Sequence, residues 1–145
     1  MKCRLGILIF ISLGFFSGAL RAETNELEIA REALRDGLWE IARSHAEKSP
    51  SEEARLVILE SYASEENWDA VAAKLKQWGE SLSSPRFGYY ASVVAGEFDK
   101  AAEFLRKSGT VAGESAAKML EADLFRRKGD FESARSLWRS VVAMT

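Results

Sequence analysis

The chain has 145 residues, of which 47% are apolar and 29% are charged, and its formal net charge is −2. These values lie near the averages of globular proteins, so a disordered or collagen-like chain is excluded. Cys3 is the single cysteine and His45 the single histidine. A disulfide scaffold and a zinc site of the usual Cys/His kind are therefore excluded as well.

The first 22 residues have the order of an export signal. Lys2 and Arg4 form a basic head, an apolar stretch covers residues 5–20, and the small residues Ala19 and Ala22 precede an abrupt change to polar side chains. A secretory translocon and its peptidase recognise this order. We expect residues 1–22 to be a signal peptide, cut after Ala19 or after Ala22.

An uncleaved membrane anchor is the alternative interpretation of this segment. The apolar stretch has 16 residues, fewer than the roughly 20 that a spanning helix needs. Cys3 precedes the stretch instead of following it, so we expect no lipid attachment there. The sequence thus predicts an exported protein, periplasmic or secreted if the organism is bacterial, with no stable membrane insertion after cleavage.

Charge is distributed unevenly along the remaining chain. Residues 23–82 contain 7 basic and 14 acidic side chains, whereas residues 83–145 contain 10 basic and 8 acidic ones. No basic stripe with interleaved aromatics occurs, so we expect no nucleic-acid partner. The asymmetry is explained by solvated helix faces or, alternatively, by attraction of a basic partner or head-to-tail self-association.

A short pattern recurs four times after residue 22. In each case an aromatic residue follows a turn, and a small or β-branched residue lies three positions later. The four segments are Gly37-Leu38-Trp39 with Ala42, Glu66-Asn67-Trp68 with Val71, Gly96-Glu97-Phe98 with Ala101, and Gly129-Asp130-Phe131 with Ala134. The aromatics are 29, 30 and 33 residues apart, and such periods are typical of stacked helix pairs.

The residue seven positions after each aromatic is apolar as well. Positions i, i+3 and i+7 share one helix face, so each aromatic is predicted to open the second helix of a pair. Helical spacing of apolar residues also precedes each turn, and no stretch alternates with period two. The sequence therefore predicts an all-α fold with helices at 24–36, 38–48, 52–63, 67–80, 85–95, 98–108, 112–128 and 131–143. We expect the four aromatics to be buried in equivalent environments.

The fourth segment, residues 129–134 with Trp138, resembles the second-helix signature of the tetratricopeptide repeat (TPR) family. Residues 96–101 with Leu105 are equally similar, and Ala122 and Phe125 match the family's first helix. The spacings of 29 and 30 residues are shorter than the 34 residues of the family, and Val71 replaces its alanine. The resemblance implies a right-handed α-solenoid of about four TPR-like repeats at 23–50, 51–82, 83–110 and 111–145.

The resemblance further implies a scaffold that binds a protein or peptide in a concave groove lined by the first helices. The groove candidates that it implies are Arg31, Arg35, Glu60, Arg86, Tyr90, Asp123 and Arg127. The alternative is that each is an ordinary exposed helix residue, since few surface residues contribute binding energy. The paired lysine and asparagine of the family's carboxylate clamp are missing, so a clamp for a chaperone tail is not expected.

Enzymatic interpretations find little support, and we expect no catalytic residue, no cofactor and no metal. His45 lies in the middle of a predicted helix, where a structural or solvent-exposed role is expected. No glycine-rich phosphate loop occurs. Glu60-Ser61 invites comparison with lytic transglycosylases, but the glycine-rich substrate motif of those enzymes is missing.

The predicted last helix carries Leu137, Trp138, Val141, Val142 and Met144 and runs almost to Thr145. Helix arrays normally finish with a polar capping helix. Self-association through this helix is therefore one expectation. The alternative function is an N-terminal helical module of a larger envelope enzyme or assembly machine, for example one that acts on peptidoglycan.

Overall fold

The computed structural model describes residues 8–79 and 84–144, and within these ranges it contains eight α-helices and no strand. The predicted all-α class is confirmed. The helices are α1 (Leu8–Arg35), α2 (Trp39–Ala46), α3 (Glu52–Ser64), α4 (Trp68–Trp78), α5 (Phe87–Val94), α6 (Phe98–Ser108), α7 (Glu114–Arg127) and α8 (Phe131–Val142).

Helix α1 is longer than predicted. It begins at Leu8 instead of residue 24 and passes through position 22 without a break, since no proline interrupts it. The export segment therefore stays a prediction, and its basic head and Cys3 lie outside the described residues, as do residue 80 of the predicted fourth helix and Thr145. Among the helices described, none is both long and apolar enough to cross a membrane.

The first helix of every pair ends in the same way. Two positions before each aromatic, the backbone has a positive φ: 75° at Gly37, 58° at Glu66, 76° at Gly96 and 83° at Gly129. In the second pair, the Glu66 N–H donates to the Ala63 carbonyl over 3.0 Å and the Asn67 N–H to the Tyr62 carbonyl over 2.9 Å. This is a Schellman ending, in which a left-handed residue satisfies the last carbonyls of a helix.

Glu66 is the described non-glycine residue with positive φ, and this conformation brings its Cβ close to the following carbonyl. We expect Glu66→Gly to be more stable than Glu66→Ala by about 1 kcal/mol. Both variants remove the 3.3 Å ion pair with Arg126. The difference between their free energies of unfolding therefore isolates the backbone strain. Chemical denaturation measures it, and equal stability of the two variants would contradict the assigned turn.

The small or β-branched residue of each repeated segment is fully buried. Ala42, Val71, Ala101 and Ala134 have 0% exposure. Each second helix thus presses its small residue into the interior, as the spacing predicts. An alanine allows the backbones of neighbouring helices to approach closely, because it has only a Cβ to accommodate.

The aromatics agree with the prediction in position but not all in burial. Each one is the first residue of a second helix. Trp39, Trp68 and Phe98 are half-buried and pack against the core. Phe131 is 61% exposed, so the expectation that it is buried was wrong. The reason is that α8 is the last described helix, and no described pair comes after it to cover this ring.

Two apolar clusters form the interior, and α3 contributes to both. Its Val57 and Ile58 pack with Ala30 and Leu34 of α1. The remaining face of α3, together with the later helices, builds the second cluster. Helices adjacent in sequence contact one another throughout, and α1 also contacts α3. Helix α3 therefore lies between the first pair and the rest of the fold.

Candidate functional site

A buried carboxylate joins the middle of α3 to the loop before α7. The Glu60 side chain accepts hydrogen bonds from the backbone N–H groups of Val111, over 2.7 Å, and of Ala112, over 2.9 Å. Glu60 is 1% exposed. A buried carboxylate requires such donors because its charge is otherwise unsolvated. This contact places α7 relative to α3 although the two partners are about fifty residues apart in the chain.

Tyr90 of α5 completes this contact. Its hydroxyl donates to Glu60 over 3.5 Å, a long hydrogen bond. Burial raises the pKa of Glu60 above its ordinary value, and the N–H groups of Ala112 and Val111 and the nearby Arg86 oppose the rise. Burial also raises the pKa of Tyr90, so its phenol stays a neutral donor.

Glu60 and Tyr90 were expected to line an open groove, and this placement was wrong. Tyr90 is 3% exposed and Glu60 is 1% exposed, so neither reaches the surface in this structure. Helical spacing shows which face of a helix a residue occupies. It does not show that the loop at 109–113 folds back over that face.

Arg31 and Arg86 meet at a residue that the sequence analysis missed. Arg31 lies 3.3 Å from one carboxylate oxygen of Glu53, and Arg86 lies 3.0 Å from the other. Glu53 thus connects α1, α3 and the start of α5. It lies seven residues before Glu60 on the same helix face, and this spacing could have identified it. Arg35 is exposed, and its guanidinium donates to the Arg31 carbonyl over 3.4 Å.

Asp123 and Arg127 pair with each other on α7. The Arg127 Nε donates to Asp123 over 2.6 Å, and Arg126 also donates to this carboxylate. The Arg127 guanidinium lies 5.1 Å from the centre of the Trp68 ring, within the range of a cation–π contact. These charges therefore hold α7 against the start of α4.

A cleft of about 340 Å³ opens between the α2–α3 side of the fold and the α7–α8 pair. Its lining is mainly apolar, with charged groups at one edge. The lining residues are Trp39, Ala63, Ser64, Glu66, Ala116, Met119, Leu120, Asp123, Arg126 and Trp138. Met119 is 47% exposed and the two indoles are half-buried. Of the predicted groove residues, Asp123 alone belongs to this lining.

This lining can bind an apolar side chain and orient its polar neighbours. Indole and thioether groups offer large apolar contact areas. At the edge, Arg126 bridges Asp123 and Glu66, so both signs of charge are available. Trp39 and Trp138 were predicted on helix faces, but the sequence did not bring them together, because a cleft between distant helices leaves no local signal.

His45 makes a contact between helices. Its Nδ1 lies 2.6 Å from Glu26 of α1, whose carboxylate also accepts from Lys48 over 2.9 Å. The expected structural role of His45 agrees with this geometry. In the described part of the chain, no group of three or more His, Cys, Asp or Glu residues is placed to hold a metal ion.

No protein-family model, curated protein or solved structure matches this chain.

Proposed function

We propose that this chain is an exported, non-catalytic scaffold that binds a protein or peptide partner in the cleft between the α2–α3 side and the α7–α8 pair. In this proposal the four helix pairs are TPR-like repeats of a right-handed α-solenoid. The recurrent left-handed turn and the four buried small residues support the repeat assignment. Export is supported by the basic, apolar and small-residue order of the first 22 residues.

The exposure of Met119 in a cleft that Trp39 and Trp138 also line is the observation that carries the proposal. A methionine that is 47% exposed in a concave, mainly apolar lining is suited to contact with a partner side chain. An apolar residue of a peptide would enter between the indoles. The neighbouring Arg126 and Asp123 would then select its polar flanks, since charge complementarity contributes more to specificity than to affinity.

Peptides selected from a displayed random library on the purified protein test this proposal. We expect Met119→Lys to weaken their binding at least tenfold, a loss of about 1.4 kcal/mol, because the charge would be desolvated on binding. Val94→Lys is the matched control, since Val94 is 44% exposed and lies outside the cleft. Titration by calorimetry measures both affinities.

Equal binding to both variants would show that the cleft is not the site. A failure to select any peptide whose binding Met119→Lys weakens would also contradict the proposal.

A further inference from the structure

The exposed side of α8 carries similar residue types at the same positions as the side of α2 that contacts α3. Arg43, four residues after Trp39, reaches across to the next pair. Its guanidinium lies 2.5 Å from Glu65 and 3.3 Å from the Ser61 hydroxyl, and 4.4 Å from the centre of the Tyr62 ring. Arg135 occupies the same position relative to Phe131, four residues later. Helix α8 therefore presents an arginine at the position from which Arg43 of α2 contacts the following pair, and an aromatic at the position of Trp39.

These two residues of α8 are available to a partner. Phe131 is 61% exposed, and the Arg135 side chain is 55% exposed, with Glu132 of its own helix 3.3 Å away. Arg139 follows one turn later and is also exposed. Val142, 74% exposed, extends the apolar part of this surface.

The outer side of α1 carries the complementary charges. Counted back from the aromatic of each pair, Ser61 of α3 corresponds to Glu32 of α1, and Glu65, the residue after α3, corresponds to Asp36, the residue after α1. Glu28 precedes them by one turn, so three exposed acids follow one another at intervals of four residues. Residues at this interval lie on one side of a helix. The two polar partners of Arg43 thus have acidic counterparts at the end of α1, whereas the Tyr62 ring corresponds to the buried Ala33.

We propose that copies of this chain associate head to tail, with α1 of one copy docked on α8 of another as α3 is docked on α2. Arg135 then lies between Glu32 and Asp36 of the second copy, and the second copy covers Phe131. Because neighbouring helices are antiparallel in this arrangement, Arg139 meets Glu28. The interface joins two different surfaces, so association continues beyond a dimer unless a ring closes.

Exposed ion pairs contribute little by themselves, so the burial of Phe131 and Val142 supplies most of the expected affinity. The charges determine how the two helices are aligned along their length. They also disfavour a symmetric contact between two α8 surfaces, because the arginines Arg135 and Arg139 of one copy would then face the same arginines of the other. Association is therefore expected to weaken as salt concentration rises.

Sedimentation velocity of the purified protein tests this proposal. We expect the average mass of the wild-type protein to rise with concentration. Arg135→Glu and Asp36→Arg are each expected to remain monomeric at the same concentrations. Lys107→Glu and Glu103→Arg carry the same changes in charge at exposed positions of α6, and they are expected to associate like the wild type.

Mixing the two monomeric variants gives the sharpest result. Arg135→Glu keeps an intact α1 surface, and Asp36→Arg keeps an intact α8 surface. Their mixture should therefore associate again, through the intact pair of Arg135 and Asp36 at one junction and the charge-reversed pair at the other. A wild-type protein that stays monomeric at all concentrations, or a mixture that stays monomeric, would overturn the proposal. A wild-type dimer that resists both substitutions would do so as well, since it would indicate a different interface.

Discussion

Replacing Glu60 by alanine is expected to lower the free energy of unfolding by about 2–5 kcal/mol. The backbone N–H groups of Val111 and Ala112 would lose their acceptor, at about 1–3 kcal/mol for each unsatisfied donor. The missing side-chain volume adds to this loss, because the Glu60 side chain is buried, with 1% exposure. Urea denaturation of the variant and the wild type measures the difference.

Two further variants separate the contribution of the Glu60 carboxylate to stability from that of its neighbours. Tyr90→Phe removes only the 3.5 Å hydrogen bond and is expected to lower the free energy of unfolding by less than about 1.5 kcal/mol. Glu60→Gln keeps the volume but presents one oxygen to two N–H donors, so its stability should lie between those of the wild type and the alanine variant.

Hydrogen exchange locates the effect of the alanine substitution. The amides of Val111 and Ala112 should exchange faster in Glu60→Ala, because the loop at 109–113 would no longer be attached to α3. Unchanged exchange at both amides, together with unchanged stability, would contradict the role assigned to Glu60.

The pH dependence of stability is determined in part by the same residue. Because burial raises the pKa of Glu60 above 4.5, the folded protein binds this proton more tightly than the unfolded chain. Its contribution to stability is therefore present below pH 4.5 and is lost as the pH rises through the folded pKa. The free energy of unfolding is measured against pH for the wild type and for Glu60→Gln, and the second curve is subtracted from the first. The difference should fall as the pH rises, and a difference that does not depend on pH would contradict the role of Glu60.

Replacing Ala101 by leucine is the second large change that we expect. Ala101 has 0% exposure and belongs to α6, which packs against α5. The three added carbons would force apart helices that are already in contact, which lowers the free energy of unfolding by about 1–3 kcal/mol. This corresponds to a fall in Tm of roughly 4–12 °C for a domain of this size.

Ala134→Leu tests the same contact in the last pair, where the alanine also has 0% exposure. Lys100→Leu serves as the control, because the exposed Lys100 precedes Ala101 on α6 and leucine suits a helix as well as lysine does. Thermal unfolding of the three variants is compared with that of the wild type. An unchanged Tm in both Ala101→Leu and Ala134→Leu would contradict the equivalence of the repeated segments.

The repeated segments show how much of the fold can be predicted from local patterns. Trp39, Trp68, Phe98 and Phe131 were each predicted within one residue of a helix start, and each is the first residue of its helix. The glycine-rich turns before them are governed by backbone sterics within a few positions. Glu66 adopts the same turn without glycine, which shows that the surrounding pair imposes the conformation.

The environment of each side chain required the tertiary structure. Phe131 and Phe98 occur in nearly identical sequence contexts, yet Phe131 is 61% exposed while Phe98 packs against the core. The difference depends on whether another described helix pair packs against the side of the helix that carries the ring. Neither the phenylalanine itself nor its neighbours in sequence indicate whether such a pair is present.

The sequence by itself therefore determined the helical class, the order of the pairs and the position of each turn, because these depend on interactions between residues a few positions apart. Only the tertiary structure decided that Glu60 is an interior acceptor and that Trp39 and Trp138 share a cleft. Both results depend on segments many residues apart, such as the loop at 109–113 and the middle of α3. Their approach is set by how the helices pack, and periodicity along a chain does not encode it.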